Sequence, residues 1–355
     1  MKYLSIHGIV GLEIDDNYKW YDTLIPNIPM FESNAKEVEK IGTKIKVTYK
    51  KKLELKESYE VVPYIFINRN TNQFYDKKYG CIVSKENNGY RIECSQECNE
   101  WIMMLLEYCL LLNNATFIHS AGVAKDGKAY VFPSWGGVGK TASVAKLIRE
   151  NNYQLLGDDL VILDKDGIVH AFPKKFVLYA YHKKLFKESM KNKKLIKGGL
   201  SNLVSHLIPT IKSILRHFPF VMAWARRHNP QSKRVTPYEI FGEKCIATDA
   251  KLSGFTWLER IEVEKTKTSE IDSYKLASRA LMITLHELYD TRLQEFVIAL
   301  CADNFEFKYV FDNSIKFIEK VISDKEINQL FIPQNYPIEN VAQDVVDYTL
   351  SIDKK

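Results

Sequence analysis

The sequence predicts a mixed α/β fold, and three observations carry that expectation. Strand-like runs separated by turn residues fill the segment from Lys2 to about Glu93. A strand, a glycine-rich turn and a helical pattern succeed one another between Lys128 and Glu150. Apolar residues at helical spacing recur in the last third, after a strand-like run from Lys251 to Leu258. With 355 residues, 46% of them apolar, the chain can bury one large core or two smaller ones.

Within the first segment, Tyr3 to Ile14, Thr43 to Tyr49 and Val61 to Ile67 read as strands. Cys81–Val83 and Tyr90–Ile92 form a candidate hairpin about Asn87-Asn88-Gly89. None of these runs carries catalytic spacing. Residues 1–96 are therefore expected to form a β-rich module for packing, partner contact or substrate presentation. Glu97 to Leu112 places Trp101, Leu105, Tyr108 and Leu112 at helical intervals and leads into a second domain, residues 97–355.

Cys81, Cys94, Cys98, Cys109, Cys245 and Cys301 are too sparse for a disulfide framework, and no second pair or nearby histidine completes a zinc site with Cys94 and Cys98. No apolar run reaches 18 residues, and Met1 to Val10 lacks the order of a signal peptide. These features predict free thiols in a reduced, cytoplasmic protein without a transmembrane segment.

Phe117 to Val123 and Lys128 to Pro133 read as strands joined at Asp126-Gly127, and the second runs into Ser134-Trp135-Gly136-Gly137-Val138-Gly139-Lys140-Thr141. A glycine-rich turn that opens a helix, here Ala142 to Glu150, aims unpaired backbone N–H groups at an anion. Gly136, Gly137, Val138, Gly139, Lys140, Thr141 and Ala142 are thus the candidate binders of a nucleoside triphosphate, ATP in the first instance. Lys140 would reach the outer phosphates and the Thr141 hydroxyl would ligate Mg²⁺. Ser134 stands where the usual P-loop (Walker A) pattern has its first glycine. Downstream, Gln154–Leu156 and Leu160–Leu163 flank Gly157-Asp158-Asp159. Adjacent carboxylates divide into metal ligand and base only where their environments differ. On a regular strand they would point to opposite faces, so a bend or bulge is required.

His119 with Gly122-Val123, the loop Gly137-Val138-Gly139-Lys140-Thr141, and Leu155-Leu156-Gly157-Asp158-Asp159-Leu160 together resemble HPr kinase/phosphorylase and its relatives. These are bacterial serine-directed kinases that share a P-loop core with phosphoenolpyruvate carboxykinase. The resemblance spans about residues 115–165 and implies that core, carrying the β-rich N-terminal module and a basic helical insertion at about 182–234. It further implies Asp158 as base on an acceptor hydroxyl, Asp159 beside Thr141 at Mg²⁺, and His119 lining the site with Lys140. The family's Glu-Ile-Arg-Gly-Leu-Gly motif is only echoed by Glu239-Ile240-Phe241-Gly242, with Phe241 in place of arginine. The expected activity is ATP- and Mg²⁺-dependent phosphorylation of a hydroxyl on a peptide, a protein or a small alcohol, and HPr itself is not carried over as acceptor. A nucleotide-binding sensor without transfer is the alternative of a different class, and a plain ATPase is the third.

From Lys174 to Arg234 there are fifteen Lys and Arg against one acidic residue, Glu188, whereas the whole chain carries a net charge of only +6. Apolar residues between Leu195 and Trp224, interrupted by Pro209 and Pro219, predict one or two amphipathic helices. The segment fits an acidic acceptor peptide, protein or sugar phosphate, a peripheral membrane contact, or a helical insertion with solvated lysines. Nucleic acid is not favoured, because no recognised module accompanies the charge. Self-association of the chain stays open.

In the last third, Ser278–Leu288, Leu293–Cys301, Ser314–Ser323 and Ile338–Leu350 are expected helices, with Leu330–Ile332 as a last strand. Arg260, at the end of the run from Lys251, is weighed both as a charge stabiliser at the phosphates and as a surface ion-pair partner.

Overall fold

The computed structural model describes residues 1–25, 28–179, 232–289 and 307–354. The chain divides into two compact units, one of Met1–Lys174 with Cys245–Lys355 and one of Lys175–Lys244. The fold is mixed α/β.

In the first unit, an eight-stranded sheet has the order β1 (Lys2–Ile6), β2 (Val10–Ile14), β3 (Thr43–Tyr49), β8 (Gly89–Cys94), β7 (Cys81–Glu86), β6 (Gln73–Asp76), β5 (Ile65–Asn68), β4 (Tyr59–Val62). The run from Tyr3 to Ile14 is two strands, because His7 and Gly8 take positive φ and turn the chain back on itself. Val61 to Ile67 likewise splits: Pro63 cannot donate to a ladder, and Tyr64 at φ +74° reverses the chain between β4 and β5. The hairpin about Asn87-Asn88 has the expected form, with Glu86 opposite Gly89. A Cβ on Gly89 would lie 1.8 Å from the Lys44 carbonyl oxygen, so only glycine lets β3 and β8 approach there.

The second sheet has the order β10 (Lys128–Pro133), β9 (Ala115–Lys125), β11 (Gln154–Asp164), β12 (Ile168–His170), β15 (Asp249–Ile261), β17 (Glu326–Pro333), β16 (Lys267–Ser269), and β10 also pairs with β15. That extra pairing closes a circuit of strands β9, β10, β15, β12 and β11. Asp126 and Gly127, both at positive φ, make the tight turn between β9 and β10.

Helices α1 (Tyr21–Leu24) and α2 (Ala35–Glu39) are short, and α3 (Asn99–Leu112) packs against both sheets. Its apolar residues wrap the whole circumference, as expected of an interior helix. The helix α4 (Lys140–Asn151) follows the glycine loop, and α6 (Ser273–Tyr289), α7 (Phe307–Ile322) and α8 (Ile338–Asp353) complete the unit. The five described cysteines are free and buried. No described helix is long and apolar enough to cross a membrane.

The second unit contains β13 (Phe176–Tyr179) paired antiparallel with β14 (Ser232–Val235), and α5 (Pro237–Phe241), which Thr236 and Glu239 cap reciprocally. Most of the expected basic helical insertion, like Leu293–Cys301, lies outside the described residues. The chain leaves and re-enters the first unit on an antiparallel stem. Ala171 N–H donates to the Thr248 carbonyl at 2.9 Å, and Phe172 and Ala247 bond to the backbone of Leu156 and Leu155 in β11.

One buried acid stabilises the strand that leads to the candidate site. Beyond Ser120, which faces Pro133 at the end of β10, β9 continues with β11 as its ladder partner. Its outward amide at Phe117 donates to Glu107 Oε2 at 2.8 Å, and the Thr116 hydroxyl donates to Oε1 at 2.6 Å. Desolvation outweighs these bonds and raises the Glu107 pKa from 4.5 to about 7. The folded state therefore binds a proton more tightly than the unfolded state, and this contribution to stability falls as pH rises from about 4.5 through 7. The expected difference is about 3 kcal/mol. Glu107→Gln mimics the protonated acid, so the stability of wild type relative to this variant, measured by urea unfolding at pH 5 and pH 8, should decline by that order. The stem predicts a second result. Replacing residues 175–244 with about five Gly and Ser residues should leave a cooperatively melting protein by calorimetry, since short loops suffice to join hydrogen-bonded neighbours.

Candidate functional site

The strand register assembles the site. Pro133 pairs with Ser120, and Ser120 with Asp159, so the end of β10, the middle of β9 and the carboxylate pair of β11 share one cross-strand row. His119 lies next to that row.

The glycine loop spans 134–139 and ends in Gly139, the N-cap of α4. Gly137 and Gly139 have φ of +80° and +120°, which require glycine, whereas Ser134 is not among the positive-φ residues. Serine at the first position therefore costs the loop no strain. A Cβ on Gly139 would also meet Val341 Cγ1 at 2.7 Å, so the first turn of α8 packs directly on the loop. The other end of α8 is fastened by Asp353, which accepts from Tyr130 at 2.6 Å and Tyr153 at 3.1 Å.

Lys140 is only 8% exposed, and its Nζ donates to the carbonyls of Ser134 at 2.8 Å and Trp135 at 3.1 Å. Desolvation lowers its pKa, against the attraction of Asp158, Asp159 and Glu287. His119 Nε2 lies 3.4 Å from that ammonium, and Nδ1 lies 3.4 Å from Asp159 Oδ1. An ammonium only donates, so Nε2 is the acceptor and Nδ1 carries the proton. Burial, and next the charge of Lys140, lower the His119 pKa to about 4, which keeps the ring neutral at pH 7. The backbone N–H of His119 donates to Thr284 Oγ1 of α6 at 2.8 Å. The same helix brings His286 against the exposed Trp135 ring, centroids 5.9 Å apart.

The carboxylates are separated by the backbone distortion that the sequence requires. β11 shifts register between Leu155 and Gly157, and Asp159 has φ of +103°, an uncommon conformation for a residue with a side chain. Asp158 is 7% exposed and accepts from the Thr141 hydroxyl at 2.8 Å. Asp159, its side chain 49% exposed, accepts from Lys174 Nζ at 2.8 Å. Desolvation, with a smaller push from Asp159, raises the Asp158 pKa to about 6. Desolvation acts on Asp159 too, but Lys174 and His119 overcome it and hold that carboxyl below its usual range. The pair is split, as a division of roles demands.

Every loop and carboxylate residue singled out in the sequence is thus brought together, with Thr141 against Asp158 rather than Asp159. Arg260 is used elsewhere: its Nη2 donates to the carbonyls of Gln334, at 2.8 Å, and Tyr336. Lys174 and Thr284 carried no spacing signal. Gly157 carried one, a glycine directly before the acid pair.

Among the described residues no group of three or more His, Cys, Asp and Glu is arranged to hold a metal. Thr141 and Asp158 offer adjacent hard oxygen donors, which suits Mg²⁺ shared with nucleotide phosphates better than an all-protein cage. The arrangement can bind a polyphosphate, place a cation beside it and present an ionised carboxylate to a second reactant.

A Cβ on Gly157 would sit 2.0 Å from the Leu160 carbonyl oxygen, whereas nothing lies within 4 Å of one on Gly136. Gly157→Ala should cost about 2–3 kcal/mol in urea unfolding, and Gly136→Ala should stay within about 1 kcal/mol of wild type. Comparable losses for both would show that Gly157 does not impose the bend. Neither models of protein families nor curated proteins match this chain.

Proposed function

We propose that the protein is an ATP- and Mg²⁺-dependent phosphotransferase acting on a hydroxyl of a peptide, a protein or a small alcohol. The observation that carries this reading is the convergence of a P-loop lysine, a threonine hydroxyl and a split carboxylate pair around His119. Phosphoryl transfer asks mainly for positioning and charge neutralisation, and this site supplies both.

In this reading the loop amides and the N-terminus of α4 hold the phosphates, and Lys140 exchanges its two loop carbonyls for phosphate oxygens. Mg²⁺, bound beside Thr141, would offset charge on the β- and γ-phosphates. The hydrogen bond from Thr141 favours Asp158 as the carboxylate on that side. Asp159, ionised and half exposed, then orients the acceptor hydroxyl and receives its proton. The acceptor oxygen attacks the γ-phosphorus, the bond to the bridging oxygen breaks, and its electron pair leaves with ADP. This division exchanges the roles that the family resemblance implies for the two acids. His119, neutral and fixed in its tautomer, keeps Lys140 and Asp159 in register without adding charge.

Lys140→Ala should reduce γ-phosphate transfer or hydrolysis to background, followed with labelled ATP. Asp158→Asn should raise the Mg²⁺ concentration needed for half-maximal rate. Asp159→Asn should lower the rate by about 10²-fold or more at saturating Mg²⁺, with nucleotide affinity near normal. The opposite pattern would restore Asp158 as the base. A wild-type protein that binds Mg-ATP yet releases γ-phosphate to no acceptor and not to water is a nucleotide sensor, and the transferase reading fails.

A further inference from the structure

We propose that Lys174 is the second cation of the site, leaving Asp159 to contact the transferred phosphoryl group in the transition state. This inference rests on the phosphotransferase reading. Charge in that transition state spreads over three equatorial oxygens, and one lysine with one metal leaves part of it unmatched. Among the described residues, two arginines and the site histidine are placed otherwise. Arg260 is bound to the carbonyls of Gln334 and Tyr336. Arg279 lies over the Trp257 ring, 3.9 Å from Glu259. His119 is neutral.

Lys174 has the placement that the task needs. Its ammonium is 2.8 Å from Asp159 Oδ2, on the carboxylate whose other oxygen faces His119. The Lys174 side chain is 25% exposed, so the ion pair opens towards solvent, the direction from which an acceptor can reach it. The backbone that carries it is fixed: Ala171 bonds to Thr248 and Phe172 to Leu156, both at 2.9 Å, and Pro173 restricts the next φ. The His119 ring lies 3.4 Å from Lys140 on one side and 3.4 Å from Asp159, the partner of Lys174, on the other. The last residue of the first unit's leading segment thereby sets a cation beside the carboxylate pair.

The test compares binding of Mg-ADP with binding of Mg-ADP plus fluoroaluminate, a mimic of the transferred group, by calorimetry. In wild type the fluoroaluminate should tighten ADP binding about 100-fold or more. Lys174→Met should keep Mg-ADP affinity within about 3-fold but lose most of that tightening, and Lys174→Arg should recover part of it. Turnover in Lys174→Met should fall about 10²–10³-fold in kcat with KM for ATP little changed. Full tightening in Lys174→Met would overturn the proposal. In the unaltered protein, Mg-ADP-fluoroaluminate should protect Lys174 from an amine-reactive label read by mass spectrometry, and Mg-ADP alone should not. Equal labelling in the two states would also overturn it, and this arm does not depend on the variants folding. Absence of tightening in wild type rejects the phosphotransferase reading itself, and the role of Lys174 with it.

Discussion

Past the end of β10, the amides of β9 at Phe117 and His119 are met by side chains, Glu107 from α3 and Thr284 from α6. A strand amide left unpaired in the interior would cost about 1–3 kcal/mol. These two acceptors let β9 run on beyond its neighbour without that loss. The remainder of the site depends on this extension. It holds His119 between Lys140 and Asp159, and it gives β11 a partner along its whole length, including the distorted stretch that carries the carboxylates. Helices from one face of the sheet thus fix, through single hydrogen bonds, a strand whose polar end serves the glycine loop.

Charge in the site alternates along a short path: Lys174, Asp159, the neutral His119, Lys140, then Asp158 across from Thr141. Burial raises the proton affinity of Asp158, whereas Lys174 and His119 lower that of Asp159, so the two acids differ although they are neighbours in sequence. The cost is local and visible in the backbone, where Asp159 occupies a conformation that residues with side chains rarely adopt. Strain at that residue and solvent access at its carboxylate coincide, a combination expected of a group that must meet a second molecule.

Much of this was legible in the sequence, for definite reasons. The strand, glycine turn and helix from Lys128 to Asn151 follow from composition and period, and the need for a bend at Asp158-Asp159 follows from strand geometry alone. Turns that rest on single residues with positive φ were harder to see, so the runs Tyr3–Ile14 and Val61–Ile67 read as single strands when each is two. Ser134 replaces the usual first glycine without strain, because that position does not need the freedom of glycine. Lys174 was submerged among fifteen basic residues, and only the fold separates it from them by setting it on Asp159. The basic segment itself could be noticed from composition but not assigned, since charge without a defined surface fits several partners.

Lys174 is also the last residue of the first unit, and the next peptide bond begins the second. A deletion of the second unit therefore keeps the Asp159 ion pair only if it begins at residue 175 or later.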